Sequence, residues 1–264
     1  MNAVEWAYEE YGEGFPLVMG TSYLWDARMW RPQIEVLARC HRVIIPLLPG
    51  HGNDAALPPQ IATPAQLAAS IGTLLDAIGV KEYAVAGLSV GGMWAAELAL
   101  QHPQRVRALL LMDTFLGAEP DDTRQRYFGL LDAIEQAGRI PPGLIEQIVP
   151  LFFRPAIAPD DPLRLQFAQT LREWPRPRIA ALVALGRLIF ARPDRLQALA
   201  ALDATRTLVA VGADDVPRPP HEASAMADII GCAVEIIADA GHIVSLENPE
   251  AVTALLQAWL RKTL

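Results

Sequence analysis

The segment Gly87-Leu88-Ser89-Val90-Gly91 sits between an apolar run, Tyr83–Leu88, and a strongly helical stretch that opens at Val90. A strand that must reverse into a helix within so few residues forces the serine at the turn into a strained backbone conformation. Glycines two places before and two after Ser89 remove side chains that would collide across the turn. The junction lifts the serine hydroxyl to the carboxyl end of the strand, beside a helix N-terminus. The free N–H groups and partial positive charge there suit a developing oxyanion. A chain with such a junction has to be built from alternating strands and helices.

The rest of the sequence carries that rhythm. Val4–Tyr8 alternates weakly and reads as an edge strand before the turn Gly12-Glu13-Gly14, and Leu17-Val18-Met19 reads as a short buried strand. Ala27–Arg39 has helical periodicity, and Val43–Leu48 is strand-like up to Pro49-Gly50. Thr63-Pro64 opens a helix that runs to about Ile78, with Gly79 as its stop. Val90–Gln101 reads as a helix and Val106–Met112 as a strand. Between about Phe115 and Thr205 helical stretches such as Thr123–Gly138 and Leu163–Trp174 alternate with prolines, and no strand pattern appears. Strand and helix alternation then resumes with Thr207–Val211, Glu222–Ile230, Val234–Ile237 and Pro249–Arg261. The expectation is one α/β domain, residues 1–115 and 205–264, with a mostly parallel sheet flanked by helices. Residues 116–204 form a mainly helical cap inserted into it.

A serine hydroxyl needs a neighbour to accept its proton. Of five histidines, His242 follows the last strand in Asp239-Ala240-Gly241-His242, at the sheet edge where a parallel α/β fold assembles its site. His41 and His102 follow helices and read as solvent-facing, His51 in Gly50-His51-Gly52 as a loop brace, and His221 as the start of a surface helix. A carboxylate must hold the imidazole in its useful tautomer. Asp214 and Asp215 follow the strand ending at Val211, in Ser–acid–His order, and Asp113 ends the strand after the elbow helix. Asp215 is favoured, and one of the adjacent pair must be a bystander, because two adjacent buried carboxylates are costly without cations. One oxyanion donor is the backbone N–H of Val90. The other comes from the loop after Met19, in the register Met19-Gly20-Thr21 or Thr21-Ser22-Tyr23.

Composition narrows the alternatives. With 264 residues and a net charge of -8, the chain should repel nucleic acid and anionic membranes. Its apolar runs stop short of the ~20 residues a span needs, and Met1–Glu5 has no leader character. A cytoplasmic protein without nucleic-acid or membrane partners is expected, with a small-molecule substrate and self-association as its possible contacts. Cys40 and Cys232 are expected as buried, reduced thiols.

Asp26-Ala27-Arg28-Met29-Trp30, Pro49-Gly50-His51-Gly52, Gly87–Met93, Gly212-Ala213-Asp214-Asp215 with Pro219-Pro220, and Gly241-His242 followed by Glu247-Asn248-Pro249 together resemble the α/β-hydrolase superfamily. The likeness is strongest to 3-oxoadipate enol-lactonase-like esterases and covers nearly the whole chain. The resemblance implies the α/β-hydrolase fold with a helical cap, and hydrolysis of an ester or lactone without metal or cofactor. It selects Asp215 as the acid and Tyr23 as the second oxyanion residue. The chain departs from the family at Thr21-Ser22, Leu47 and Asp54, and the family's first antiparallel strand is not evident. Trp25, Trp94, Phe152 and Phe153 are expected to line the pocket; Arg154 and Arg187 read as surface arginines, with contact to a substrate carboxylate as the alternative for either. A haloperoxidase or perhydrolase, a carbon–carbon bond hydrolase, or a ligand-binding receptor would use the same frame.

Overall fold

The computed structural model describes residues 6–264. The edge strand is Tyr8–Tyr11 (β1), displaced from the expected Val4–Tyr8, of which Val4 and Glu5 lie outside the described residues. Next come β2 (Phe15–Gly20), β3 (His41–Pro46), β4 (Tyr83–Leu88), β5 (Val106–Met112), β6 (Thr207–Gly212) and β7 (Ala233–Ile237). They form a seven-stranded sheet in the order β1-β3-β2-β4-β5-β6-β7. β1 runs antiparallel to β3, with Tyr8 opposite Pro46, and every other neighbouring pair is parallel. One antiparallel strand is therefore present at this edge.

β4 lies between β2 and β5, and all its residues are buried. Burial on both faces explains why Tyr83–Leu88 reads as an unbroken apolar run rather than an alternating one. Side chains still alternate between the two faces. Leu17, Met19 and Ala86 join one core cluster with Trp30, Leu256 and Trp259. Val18 and Val85 join the other with Leu67, Leu98 and Met226. The second cluster lies under α2 (Pro64–Ala77), α3 (Val90–Gln101) and α8 (Pro220–Ile230). Thr63 Oγ caps α2 by accepting from the Gln66 N–H at 3.2 Å.

The helical run expected over Ala27–Arg39 is two pieces. A 3₁₀ turn, Ala27–Trp30, starts where Asp26 accepts from the Arg28 N–H, and α1 (Arg31–Leu37) follows with Pro32 in its first turn. Between β5 and β6 lie α4 (Asp121–Ala137), α5 (Pro142–Phe152), α6 (Pro162–Arg172) and α7 (Ile179–Phe190), with no strand among the described residues there. α9 (Val244–Glu247) and α10 (Pro249–Thr263) close the chain.

A buried ionic knot joins this insertion to the sheet. Glu119, where the chain leaves β5 for α4, accepts from Arg192, where α7 ends, and from Arg218 in the loop after β6. The cysteines differ from expectation: Cys40 is exposed and Cys232 half-buried, each a free thiol, because each follows a helix end rather than lying within the core. His41 is also not a solvent-facing helix-end residue. It opens β3 and is half-buried, as is His102 at the end of α3.

Candidate active site

The parallel strands deliver four loops to one edge of the sheet. Ser89 follows β4, Asp113 follows β5, Asp215 lies just beyond β6, and His242 lies beyond β7. Ser89 has φ 59 and ψ −121, a conformation costly for a residue with a side chain. Its N–H continues the sheet ladder to the Met112 carbonyl at 2.9 Å, and its own carbonyl accepts from Thr114 Oγ1 at 2.7 Å. The elbow glycines are required by contact. A Cβ on Gly87 would lie 2.2 Å from the Gly91 carbonyl oxygen, and one on Gly91 would lie 2.5 Å from the Gly20 carbonyl carbon.

Beyond Ser89, the non-glycine residues with positive φ among the described residues are Leu24, Asp113 and Asp239. They stand in the loops after β2, β5 and β7, at the same sheet edge as Ser89. Backbone strain concentrated in this way marks a functional edge. No pattern of residue types in the sequence announced the other three.

His242 is buried, and its Nδ1 lies 2.8 Å from Asp215 Oδ2. A carboxylate only accepts, so Nδ1 carries the proton and Nε2 is left as the basic nitrogen. Asp215 Oδ1 accepts from the Arg218 N–H at 3.0 Å, so both carboxylate oxygens are engaged. Asp214 is exposed, and only its backbone N–H contributes, donating to the Ala240 carbonyl at 3.0 Å. The Ser89 hydroxyl makes no hydrogen bond to a described group, and neither does His242 Nε2. A nucleophile and its base often close only around substrate.

The loop after β2 packs on the elbow. The Gly91 N–H donates to the Thr21 carbonyl at 3.1 Å, and Trp30 Nε1 donates to the Gly20 carbonyl at 3.2 Å. The Ser22 N–H is directed at Met29 Sδ, 3.2 Å away. The N–H groups of Val90 and Tyr23 donate to no described group. The Tyr23 hydroxyl donates to the Leu182 carbonyl in α7 at 2.9 Å, fixing this loop against the insertion.

The insertion is stitched to the histidine loop by Glu247, which the sequence motif includes without a role, and by Phe152 and Arg154. Glu247 accepts from the Gly241 N–H at 2.7 Å and from the Arg154 N–H at 3.0 Å. The Ile243 N–H donates to the Phe152 carbonyl at 3.0 Å, and Arg154 Nη1 to the Asp239 carbonyl at 2.6 Å. Phe152 and the His242 ring meet in a T-shaped pair at 5.5 Å, and Trp25 stacks on Phe167 at 4.3 Å with Phe152 and Phe153 against it. Three of the four aromatics expected at the pocket therefore converge. Trp94 does not: it is buried in the second core cluster, its ring against the Cα of Gly20, because α3 turns that position toward the sheet. Arg187 is paired with Asp132 and Glu135, whereas Arg154 is held by a single Nη1 bond to the Asp239 carbonyl. A cleft of about 560 Å³ is lined by Trp25, Phe167, His51 and Trp174 among others; Ser89 and His242 do not line it.

Asp113 is fully buried. It accepts from the Gly212 N–H at 2.8 Å, and burial, followed by the nearby charge of Asp215, pushes its carboxyl well above the usual carboxylate range. Asp113, Asp215 and His242 bring donor atoms within 4.8 Å of one another, a metal-compatible set. His242 Nδ1 and Asp215 Oδ2 face each other rather than a shared centre.

Comparison with known proteins gives the family and the fold. Residues 14–249 match the family described as alpha/beta hydrolase fold. A protein of Azorhizobium caulinodans assigned as a carbamate hydrolase is 37% identical over 113 residues, and the match spans 42% of each chain. The structure of a thermophilic esterase from Thermogutta terrifontis, with malate bound, is 30% identical with a TM-score of 0.85, over 98% of this chain and 93% of that one. The enol-lactonase from Burkholderia xenovorans LB400 has the same TM-score at 22% identity, over 98% of each chain, which is a likeness of fold.

Proposed function

The chain belongs to the α/β-hydrolase fold family, and on that premise we propose that it is a serine hydrolase of small or medium carboxylic esters or lactones. Ser89 is the nucleophile, His242 the general base and Asp215 the group that holds the imidazole. The observation that carries this reading is the oriented pair at 2.8 Å, Asp215 Oδ2 to His242 Nδ1, at the sheet edge that also presents the strained Ser89.

In the reaction, Ser89 Oγ attacks the carbonyl carbon while His242 Nε2 takes its proton. The free N–H groups of Val90 and Tyr23 stabilise the tetrahedral oxygen; one such donor is typically worth ~3 kcal/mol of barrier. The imidazolium then gives its proton to the leaving alkoxide, leaving an acyl-serine. A water activated by the same imidazole hydrolyses that intermediate and restores Ser89. Asp215 stays ionised throughout and stabilises the imidazolium.

The ester reading draws on the 30% identity to an esterase across nearly the whole chain. Carbamates are the second reading, favoured by the 37% identity over part of the chain; the same acyl-transfer steps apply to both. The test is a panel of esters, lactones and carbamates of varied acyl length, run beside Ser89→Ala. Turnover should fall by several orders of magnitude in the variant, and an organophosphonate should label Ser89. Undiminished ester turnover by Ser89→Ala would refute the assignment.

A further inference from the structure

Two buried carboxyl groups, Asp113 and Asp215, lie side by side at this edge, their oxygens within 4.8 Å of each other. Side-chain cations do not resolve the conflict. Arg218 reaches Asp215 only through its backbone N–H, while its guanidinium turns to Glu119 and Glu222. Glu247, held by the Gly241 and Arg154 N–H groups, adds further negative potential. Two such carboxylates in so little solvent do not both ionise.

The hydrogen bonds identify which one holds the proton. Asp215 receives donors on both oxygens, from His242 Nδ1 and from the Arg218 N–H, and both favour its charged form. Asp113 receives one donor, the Gly212 N–H on Oδ1. Its Oδ2 is buried and has no partner among acceptors and donors as they stand. A proton on that oxygen converts an unsatisfied acceptor into a donor, and a carboxylate oxygen of Asp215 lies within 4.8 Å of one of Asp113.

We propose that Asp113 is a positioning residue held as a neutral carboxylic acid, which donates from Oδ2 to the carboxylate of Asp215 and so fixes the group that orients His242. The assignment of a catalytic role to Asp215 rests on the serine-hydrolase reading; the proton on Asp113 does not. Asp113 also sits at φ 46, so the fold tolerates local strain to present this side chain. With the proton in place, the pair carries a single negative charge opposite the imidazole. Orienting Asp215 through a neutral donor leaves its charge intact.

The tests separate this role from simple packing. Asp113→Asn keeps an acceptor for the Gly212 N–H and a donor toward Asp215, with no change in charge. It should keep kcat/KM within about threefold and leave the acid limb of the pH profile in place. Asp113→Leu supplies neither group, and kcat/KM should fall roughly ten- to a hundredfold, the usual worth of a hydrogen bond to a charged partner. If Asp113 were ionised, the Asn variant would remove a negative charge near the imidazole and move the acid limb down by roughly two pH units; that shift overturns the proposal. Difference infrared spectroscopy gives a readout independent of turnover. A protonated-carboxyl stretch at neutral pH should be present in the wild-type protein and missing from Asp113→Asn, and an unchanged spectrum overturns the proposal. So does a stoichiometric divalent cation that copurifies with the wild-type protein and is lost from Asp113→Asn, because a cation would then neutralise the pair. Retained turnover by Ser89→Ala, with the infrared band intact, would sink the hydrolase reading and leave the shared proton standing.

Discussion

His51 supplies a prediction in which the direction of the pH effect can be worked through. Its ring is buried between Tyr23 and Trp174, and Nδ1 is bonded to the Pro49 carbonyl at 2.9 Å. Burial pushes its pKa down to about 4 in the folded protein, against about 6.5 in the unfolded chain. The neutral ring is therefore favoured by folding. Its contribution is fully present above about pH 6.5 and is lost as the pH falls toward 4, because the unfolded chain binds the proton first. Linkage between those two values removes about 2 kcal/mol between pH 7.5 and 5, and about 3 kcal/mol by pH 4. The perturbation is His51→Phe, which keeps an aromatic ring against Tyr23 and Trp174 but cannot titrate. Losing the bond to Pro49 lowers stability at every pH by a similar amount, so the slope carries the test rather than the offset. Urea unfolding of both proteins from pH 7.5 to 5 should show the wild type losing about 2 kcal/mol more than the variant. Parallel curves would refute the argument that burial holds this imidazole neutral.

Other perturbations reach different parts of the structure. Gly91→Ala puts a Cβ 2.5 Å from the Gly20 carbonyl carbon; stability should fall by about 1–3 kcal/mol, and ester kcat should fall further than stability alone explains, because the oxyanion loop must move. Glu119→Gln leaves the buried Arg192 and Arg218 without their shared carboxylate. Chemical denaturation should show a loss of about 3–5 kcal/mol, whereas an unchanged midpoint would mean that water reaches the cluster. Thr63→Ala removes the cap of α2 and should lower stability by about 1 kcal/mol without changing turnover.

The candidate site was legible in part because some of its demands are local. A strand-to-helix reversal at Ser89 requires small residues at fixed places, so Gly87 and Gly91 reveal it in the primary structure. His242 and Asp215 are legible through chain order, since parallel strands bring successive loops to one edge. The choice between Asp214 and Asp215 is not local. It depends on which side chain the loop buries, and the structure buries Asp215 while exposing Asp214. Trp94 was misread for a related reason. Proximity to Ser89 in the chain says nothing about which way a helix turns a residue, and α3 turns this one into the core.

Glycine placement and apolar runs thus determined the alternation of strands and helices, the elbow and the helical insertion, because each depends on neighbours a few residues away, while the histidine followed from the order of loops along the chain. Tertiary structure alone decided the company these groups keep. Glu247 joins the histidine loop to the insertion, Arg218 turns away from Asp215 toward Glu119, and Asp113 faces Asp215 across a buried gap. Charge and hydrogen-bond balance in a desolvated site depends on distances between segments remote in sequence, and those distances exist only once the sheet has assembled.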